Sequence, residues 1–155
     1  MSQNVDARLS DLSITLPEAA APVAAYVPAV EANGILHISG QLPFVDGKLV
    51  IGRLGEDVSV EEGAAAARAC AIMLLAQIKK AIGSLDRVER IVKLGVFVNS
   101  ASTFSDQPKV ANGASELMQD VFGDAGKHAR SAVGVPALPL GAAVEVDAVV
   151  QIRAA

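Results

Sequence analysis

The hydrophobic and polar positions of this chain follow two periods in alternating segments, one typical of strands and one typical of helices. Five segments have the β-branched or alternating pattern that predicts a strand: residues 23–30, 35–39, 88–99, 129–135 and 142–153. The first two are separated by Asn33-Gly34, a dipeptide that favours the tight turn of a β-hairpin. The third is apolar on both faces for much of its length, which indicates a central strand.

Helical spacing of apolar residues predicts two long helices between these strands. The first begins at a capping box formed by Ser59 and Glu62 and ends at Gly83. The second begins after residues 103–106, with Pro108 near its first turn, and ends before Gly123. A short helix is also expected at residues 6–12. The order is two strands, a helix, a strand, a helix and two strands.

The predicted elements make one domain. Residues 1–22 form an N-terminal extension with the short helix, and residues 23–155 form the domain itself. Two helices can cover only one face of such a sheet, yet the central strand is apolar on both faces. The side chains of the central strand should alternate between its two faces. One face should carry Val92, Leu94, Val96 and Val98, and the other should carry Ile91 and Phe97. The uncovered face therefore predicts a homo-oligomer with clefts where copies meet.

The composition and charge of the chain narrow the range of possible functions. Hydrophobic residues make up 52% of the chain, more than in a typical soluble monomer, which also favours subunit contacts. The net charge of −4 and scattered basic residues argue against a nucleic-acid-binding surface. No secretory signal or membrane span is recognisable, which predicts a cytoplasmic protein. The single cysteine, Cys70, lies in the first long helix, so we expect a buried core thiol and no internal disulfide.

Two isolated charges carry the candidate chemistry, Arg130 and Glu145, and no charged residue lies between them. An ionised group on an apolar strand is costly unless it is paired, solvated or used. On its strand Arg130 shares a face with Ala132 and Gly134, which are small enough to leave room for a ligand. A guanidinium presents a planar set of donors that matches a carboxylate. The alternative is an arginine in a structural ion pair.

Glu145 lies on the strand face opposite the predicted core. It belongs either to the solvated side of an amphipathic strand or to a partly dry cleft, where it would position a water and transfer protons as a general acid and base. Asp147 lies about 7 Å further along the same face, too far to share a proton directly.

His37, Ser39 and His128 supply residue types found in hydrolytic triads. No nucleophile elbow surrounds Ser39, and Ser131 lies on the opposite strand face from Arg130, so we reject a triad. The spacing of the two histidines matches no metal-binding motif.

Several short segments, taken in order, resemble the RidA/YjgF family of enamine and imine deaminases. The resemblance covers about residues 23–153 and rests on residues 25–27 with Tyr26, residues 38–43, residues 93–99, Asn112, residues 129–133, residues 138–139 and residues 144–148.

The resemblance implies a chorismate-mutase-like α+β fold with a mixed sheet and two main helices packed on one face. It also implies a homotrimer with sheets inside, helices outside and three clefts between subunits. In those clefts Arg130 would bind the substrate carboxylate and Glu145 would handle the hydrolytic water. The side chains expected to line the cleft are Tyr26, Ser39 and Asn112, with Ala132 at the substrate site.

The implied reaction needs no cofactor and no metal. A 2-aminoacrylate-type enamine tautomerises to its imine, water adds, and ammonia leaves to give a 2-keto acid.

Two positions depart from the best-known members of the family, which have cysteine where this chain has Ala132 and often proline where it has His128. Because of these two differences, the resemblance does not identify the substrate. Two other functions stay open as well, binding of a small carboxylate such as a 2-keto acid without turnover, and RNA cleavage, which the acidic charge and few aromatic residues disfavour.

Overall fold

The computed structural model describes residues 4–22 and 24–155. These described residues contain three α-helices, α1 (Val5–Asp11), α2 (Val60–Ile82) and α3 (Gln107–Phe122). The strands are β1 (Ala29–Ala32), β2 (Ile35–Gln41), β3 (Phe44–Val45), β4 (Lys48–Leu49), β5 (Val88–Asn99), β6 (Ala129–Val135) and β7 (Val144–Ile152). No helix in the described ranges is long and apolar enough to cross a membrane.

Five strands form one mixed sheet in the order β1-β2-β7-β5-β6. β5 and β6 are parallel and are connected through α3, whereas the other neighbours in this sheet are antiparallel. β3 and β4 form a separate small hairpin. The α+β fold with two main helices on a mixed sheet, implied by the resemblance, is therefore confirmed.

The core lies between one face of the sheet and the two long helices. α2 begins where Ser59 Oγ accepts a hydrogen bond from the Glu62 amide at 3.1 Å, and it ends at Gly83, whose φ is 86°. Leu74 of α2 and Val96 of β5 belong to the same buried cluster. Cys70 is fully buried there too, as expected from its place in the helix.

Small residues let α2 and α3 approach closely. A Cβ atom built on Gly113 of α3 would overlap the backbone carbonyl of Ala64 in α2. The adjacent α3 residues Ala111 and Ala114 are completely buried. Part of the high alanine content of the chain therefore serves this helix crossing.

The first predicted strand begins too early. β1 starts at Ala29, and residues 24–28 have no regular structure, while Val23 lies outside the described residues. Pro28 lacks an amide hydrogen, so it cannot donate to a strand ladder. The hairpin itself is confirmed, because Asn33 and Gly34 have φ values of 51° and 77°, typical of a type I′ turn.

The predicted alternation along the central strand is wrong at Ile91. In the pairing of β5 with β7, Ile91 faces Val150 and Lys93 faces Val149, so Val92 is an extra residue in a bulge. Ile91 consequently lies on the helix-covered face, where it is fully buried, and Val92 is exposed. The face away from the helices is formed along β5 by Lys93, Gly95 and Phe97.

The N-terminal segment packs onto the domain. Its helix spans Val5–Asp11, one residue earlier than predicted, and the Val5 amide donates to Asp86 Oδ1 at 2.8 Å. Val5, Leu9 and Ile14 join the same buried cluster as the sheet and long helices. The N-terminal helix and Ile14 therefore contribute to the core of the domain.

The close helix crossing predicts the effect of Gly113→Ala. Alanine favours a helix over glycine by about 1 kcal/mol, but its Cβ would meet the Ala64 carbonyl. We expect the overlap to dominate and the free energy of unfolding to fall by about 1–3 kcal/mol in urea denaturation. Glu116→Ala, at an exposed position of α3, is the control and should change it by less than about 0.5 kcal/mol. A Gly113→Ala protein as stable as the parent would contradict the crossing.

Candidate active site

Arg130 lies on the edge strand β6 and points toward α3. Its register partner on β5 is Leu94, which is fully buried under the helices, and paired residues share a sheet face. Arg130 Nη1 donates to Asn112 Oδ1 at 2.9 Å and to Ser115 Oγ at 3.0 Å. Within the described residues these are its side-chain hydrogen bonds, so the edge formed by Nε and Nη2 is free for another acceptor.

The charge of Arg130 has no partner acid in the described part of the chain. The ion pairs found there involve other residues, and both partners of Arg130 are uncharged. The structural ion pair considered as an alternative is therefore not formed within residues 4–22 and 24–155. A half-buried guanidinium supported by an amide and a hydroxyl is suited to an incoming carboxylate.

Two residues that the sequence analysis did not place in the site support this arginine. Ser115 Oγ lies 2.8 Å from His128 Nε2, and His128 Nδ1 lies 2.6 Å from the Gly126 carbonyl oxygen. A signal existed in the sequence for Ser115, because it follows Asn112 by three helical positions and therefore lies on the same face of α3. His128 comes two residues before Arg130, just before β6 begins at Ala129.

Glu145 occupies the other face of the sheet. It pairs with Phe97 of β5, on the side away from α2 and α3, and it is half-buried. A Cβ on Gly40 of β2 would lie 2.7 Å from Glu145 Oε2, so the carboxylate occupies space that only glycine leaves free. Asp147, two residues on, packs in the same way over Gly95.

Burial raises the pKa of Glu145, and the negative charge of Asp147 raises that pKa further. The pKa of Asp147 is also raised, chiefly by burial, although a hydrogen bond from the Gly95 backbone and the charge of Lys93 act in the opposite direction. Glu145 therefore retains a proton to higher pH than an ordinary glutamate. This property suits a group that both accepts and donates protons.

Tyr26 and Ser39 adjoin Gly40, the glycine that makes room for the Glu145 carboxylate. Tyr26 and Gly40 line one small cavity of about 100 Å³. Ser39 Oγ donates to the Val27 carbonyl at 3.0 Å, and the Ser39 amide donates to the Pro28 carbonyl at 2.9 Å. These bonds hold the irregular segment that carries Tyr26 against β2.

The predicted site residues thus form two groups. The arginine group comprises Arg130, Asn112 and Ala132, which share the side of β6 that faces α3. The glutamate group comprises Glu145, Tyr26 and Ser39.

One copy of the chain does not bring the two groups together. Arg130 aligns through Leu94 with Ala148 of β7, so Glu145 lies three residues away along the strand direction, about 10 Å. β5 separates the two strands, which adds about 10 Å across the sheet, and the side chains point to opposite faces. A cleft containing both groups therefore requires two copies.

The remaining titratable groups of the described residues give no second centre of this kind. Burial, and next the charge of Glu145, hold the pKa of the Cys70 thiol well above its usual range. Among residues 4–22 and 24–155, histidine, cysteine and acidic side chains do not gather in threes at a spacing that could hold a metal ion.

The raised pKa of Glu145 predicts a pH-dependent gain in stability for Glu145→Gln. Because the pKa is higher in the folded than in the unfolded protein, ionisation costs folding free energy at neutral pH. The glutamine variant should have the higher free energy of unfolding at pH 7. This gain should shrink as the pH falls through the raised pKa of the folded state toward about 4.3, and it should be absent below that value, where the glutamate is protonated in both states.

Urea denaturation between pH 3.5 and pH 8 measures this difference. Glu31→Gln, at an exposed position on β1, is the control for loss of a charge and should change the free energy of unfolding by less than about 0.5 kcal/mol at pH 7. A Glu145→Gln protein that is less stable than the parent at pH 7 would contradict the unfavourable environment of the carboxylate.

The whole chain has close relatives among known proteins. It is 55% identical to protein TCP17 of Trypanosoma cruzi over 154 residues, which cover 98% of this chain and 96% of that protein. A crystal structure of a protein of unknown function from Agrobacterium tumefaciens is 45% identical, with a TM-score of 0.90 and coverage of 96% and 92%. A crystal structure from Shewanella oneidensis is 35% identical, with a TM-score of 0.94 and coverage of 97% and 100%.

A more distant relative has a named activity. The 2-iminobutanoate/2-iminopropanoate deaminase of Dermatophagoides farinae is 26% identical over 142 residues, which cover 90% of this chain and 95% of that enzyme. Residues 6–151 match the family model described as "YjgF/chorismate_mutase-like, putative endoribonuclease". The chain therefore belongs to the RidA/YjgF family.

Proposed function

We propose that this protein hydrolyses small enamine and imine acids to 2-keto acids and ammonia, in clefts between the subunits of a homotrimer. The observation that carries the proposal is the pair of site groups on opposite sheet faces. One holds Arg130 without an acidic partner in the described residues, and the other holds Glu145 with a raised pKa. The named activity of the Dermatophagoides farinae relative supports the same reaction.

Arg130 anchors the substrate in this proposal. The substrate carboxylate accepts hydrogen bonds from Nε and Nη2, while Nη1 remains bound to Asn112 and Ser115. Such paired, charge-assisted hydrogen bonds orient a planar acid as well as hold it. Ala132 lies two residues along the same face and leaves space beside the bound acid.

Glu145 carries out the proton transfers. The enamine CH2=C(NH2)–COO⁻ gains a proton at its terminal carbon and loses one from nitrogen, which gives the imine CH3–C(=NH)–COO⁻. Water then attacks the imine carbon as the Glu145 carboxylate accepts a proton from it. The same group returns that proton to the nitrogen, which gives CH3–C(OH)(NH2)–COO⁻. Glu145 then transfers the hydroxyl proton to the nitrogen, the C–N bond breaks, and ammonia leaves to give CH3–CO–COO⁻. A raised pKa suits both halves of this cycle.

A ring of three copies explains how the two groups meet. In a ring the interface is heterologous, so one surface of each copy meets a different surface of the next. The bare sheet face offers apolar area for such contacts, because Val30 and Val133 are 52% and 44% exposed. The edge strand β6, with the arginine group, can then lie against the glutamate group of the neighbouring copy.

Two other functions use the same residues differently. Binding of a 2-keto acid without turnover needs the arginine anchor alone. RNA cleavage is favoured by the wording of the family description, but Glu145 and Asp147 on the bare face and a net charge of −4 would repel phosphate groups. Cleavage of RNA by rigorously purified protein, abolished by Glu145→Gln, would support that second candidate.

Mixing two inactive variants tests the shared cleft. Arg130→Ala and Glu145→Gln should each abolish the acceleration of ammonia release from enzymatically generated 2-aminoacrylate. When equal amounts are unfolded together and refolded, random assembly should restore roughly one quarter of the clefts, because each needs an intact arginine from one copy and an intact glutamate from the next. Native mass spectrometry confirms mixed trimers, and mixed trimers without activity would refute the shared cleft.

Titration calorimetry with 2-oxobutyrate separates turnover from binding. We expect the parent protein to bind it and Arg130→Ala to weaken binding by about 10- to 100-fold, as expected for loss of charged hydrogen bonds. Arg68→Ala removes a guanidinium from an exposed position of α2 and should leave binding unchanged. Binding by a protein that does not accelerate ammonia release would favour the non-catalytic alternative.

A further inference from the structure

Ser115 touches the candidate anchor Arg130, and His128 touches Ser115, but neither residue reacts in the proposed mechanism. They form a continuous chain of hydrogen bonds from Arg130 to the backbone of Gly126. The separations are 3.0 Å from Arg130 Nη1 to Ser115 Oγ, 2.8 Å from Ser115 Oγ to His128 Nε2 and 2.6 Å from His128 Nδ1 to the Gly126 carbonyl. The first two are within the normal hydrogen-bond range, and the third is slightly shorter than a usual N–H···O bond.

The chain of hydrogen bonds has a single direction when the imidazole is neutral. A carbonyl oxygen only accepts, so the hydrogen of the His128 ring lies on Nδ1 and Nε2 is an acceptor. Ser115 has one hydroxyl hydrogen, which it donates to Nε2, and its lone pairs therefore face Arg130. The two hydrogens of Arg130 Nη1 then satisfy Ser115 Oγ and Asn112 Oδ1.

We infer that His128, acting through Ser115, is a positioning residue for Arg130: the imidazole fixes the serine as an acceptor, which turns the Nε–Nη2 edge of the guanidinium toward the substrate carboxylate. This inference rests on the proposed function, because it assigns a purpose to the anchor named there. It adds two residues that determine how well a small acid is held.

The far end of the relay is rigid. Gly126 is buried, and a Cβ atom on it would overlap the backbone carbonyl of Met118 in α3. The short helical turn Gly123–Gly126 is thereby held against α3, which also carries Ser115 and Asn112. The acceptor of His128 and both acceptors of Arg130 are thus fixed to one helix and the turn that follows it.

The Ser115–His128 contact also has the separation of a serine nucleophile and its base. Ser115 is only 7% exposed, however, and its oxygen already accepts from Arg130. An attacking serine needs an open approach to a substrate carbonyl, which this oxygen lacks. The pair therefore positions the guanidinium and does not form a covalent intermediate.

Substitutions at both positions test the relay in the assembled full-length protein. His128→Leu and Ser115→Ala should each raise KM for 2-aminoacrylate and Kd for 2-oxobutyrate about tenfold, with kcat within about twofold, because one hydrogen bond to a charged group is lost or misdirected. His128→Gln keeps an acceptor near the Nε2 position and should restore both constants to within about threefold. The double variant should be no worse than either single one, because both break the same chain.

Nuclear magnetic resonance supplies a readout that does not depend on activity. The ring ¹⁵N shifts of His128, assigned with His37→Gln, should show a protonated Nδ1 and an unprotonated Nε2 in the parent protein. Rotation of the Arg130 guanidinium about Nε–Cζ should be slow in the parent protein and in His128→Gln, and faster in His128→Leu and Ser115→Ala.

The outcomes separate this inference from the proposed function. If 2-oxobutyrate binding and guanidinium rotation are unchanged in His128→Leu and Ser115→Ala, or if Nε2 carries the hydrogen, the relay is overturned. Variants that lower kcat and leave KM and Kd unchanged also overturn it. A parent protein that neither binds 2-oxobutyrate nor releases ammonia overturns the proposed function. The role of the relay in carboxylate binding is then overturned as well, even if the rotation data still show an oriented guanidinium.

Discussion

The packing of α2 and α3 against a single face of the sheet determines the rest of this structure. It buries the apolar side chains of β5 and β7 on one side and leaves the other side bare. The arginine group lies on the covered side, where a helix supplies neutral hydrogen-bond partners. The glutamate group lies on the bare side, where glycines make room for carboxylates. The two kinds of chemistry are separated because only one face is covered.

The glutamate side shows a conflict between stability and function. Glu145 is half-buried beside Asp147, and both acids have raised pKa values. At neutral pH the folded protein therefore contains ionised groups in surroundings that disfavour them. A protein selected for stability alone would favour an uncharged side chain at position 145. A carboxylate with a raised pKa at this position is what the proposed proton transfer requires.

Most of the fold follows from short-range patterns in the sequence, and the exceptions come from long-range pairing. Ser59, Gly83 and Asn33-Gly34 act within a few residues, and the helix and hairpin ends that they predict are correct. The face of Ile91 was mispredicted because a bulge at Val92 depends on the register with β7. Arg130 and Glu145 were each assigned correctly to a face of their own strand. The separation of Arg130 and Glu145 across the sheet depends on the strand order, which no local pattern encodes. The contact between Ser115 and His128 likewise depends on how α3 lies over β6.

The glycine at the helix crossing has an evolutionary consequence. Gly113 lies between Asn112 and Ser115, the two residues that hold the guanidinium, and its missing side chain sets how closely α3 approaches Ala64. A larger residue at position 113 would meet the Ala64 backbone, displace the helix and carry both hydrogen-bond acceptors with it. Under the proposed function, ligand affinity would therefore depend on Gly113, which packs against the backbone of another helix, and divergence at position 113 would be restricted for as long as the anchor is needed.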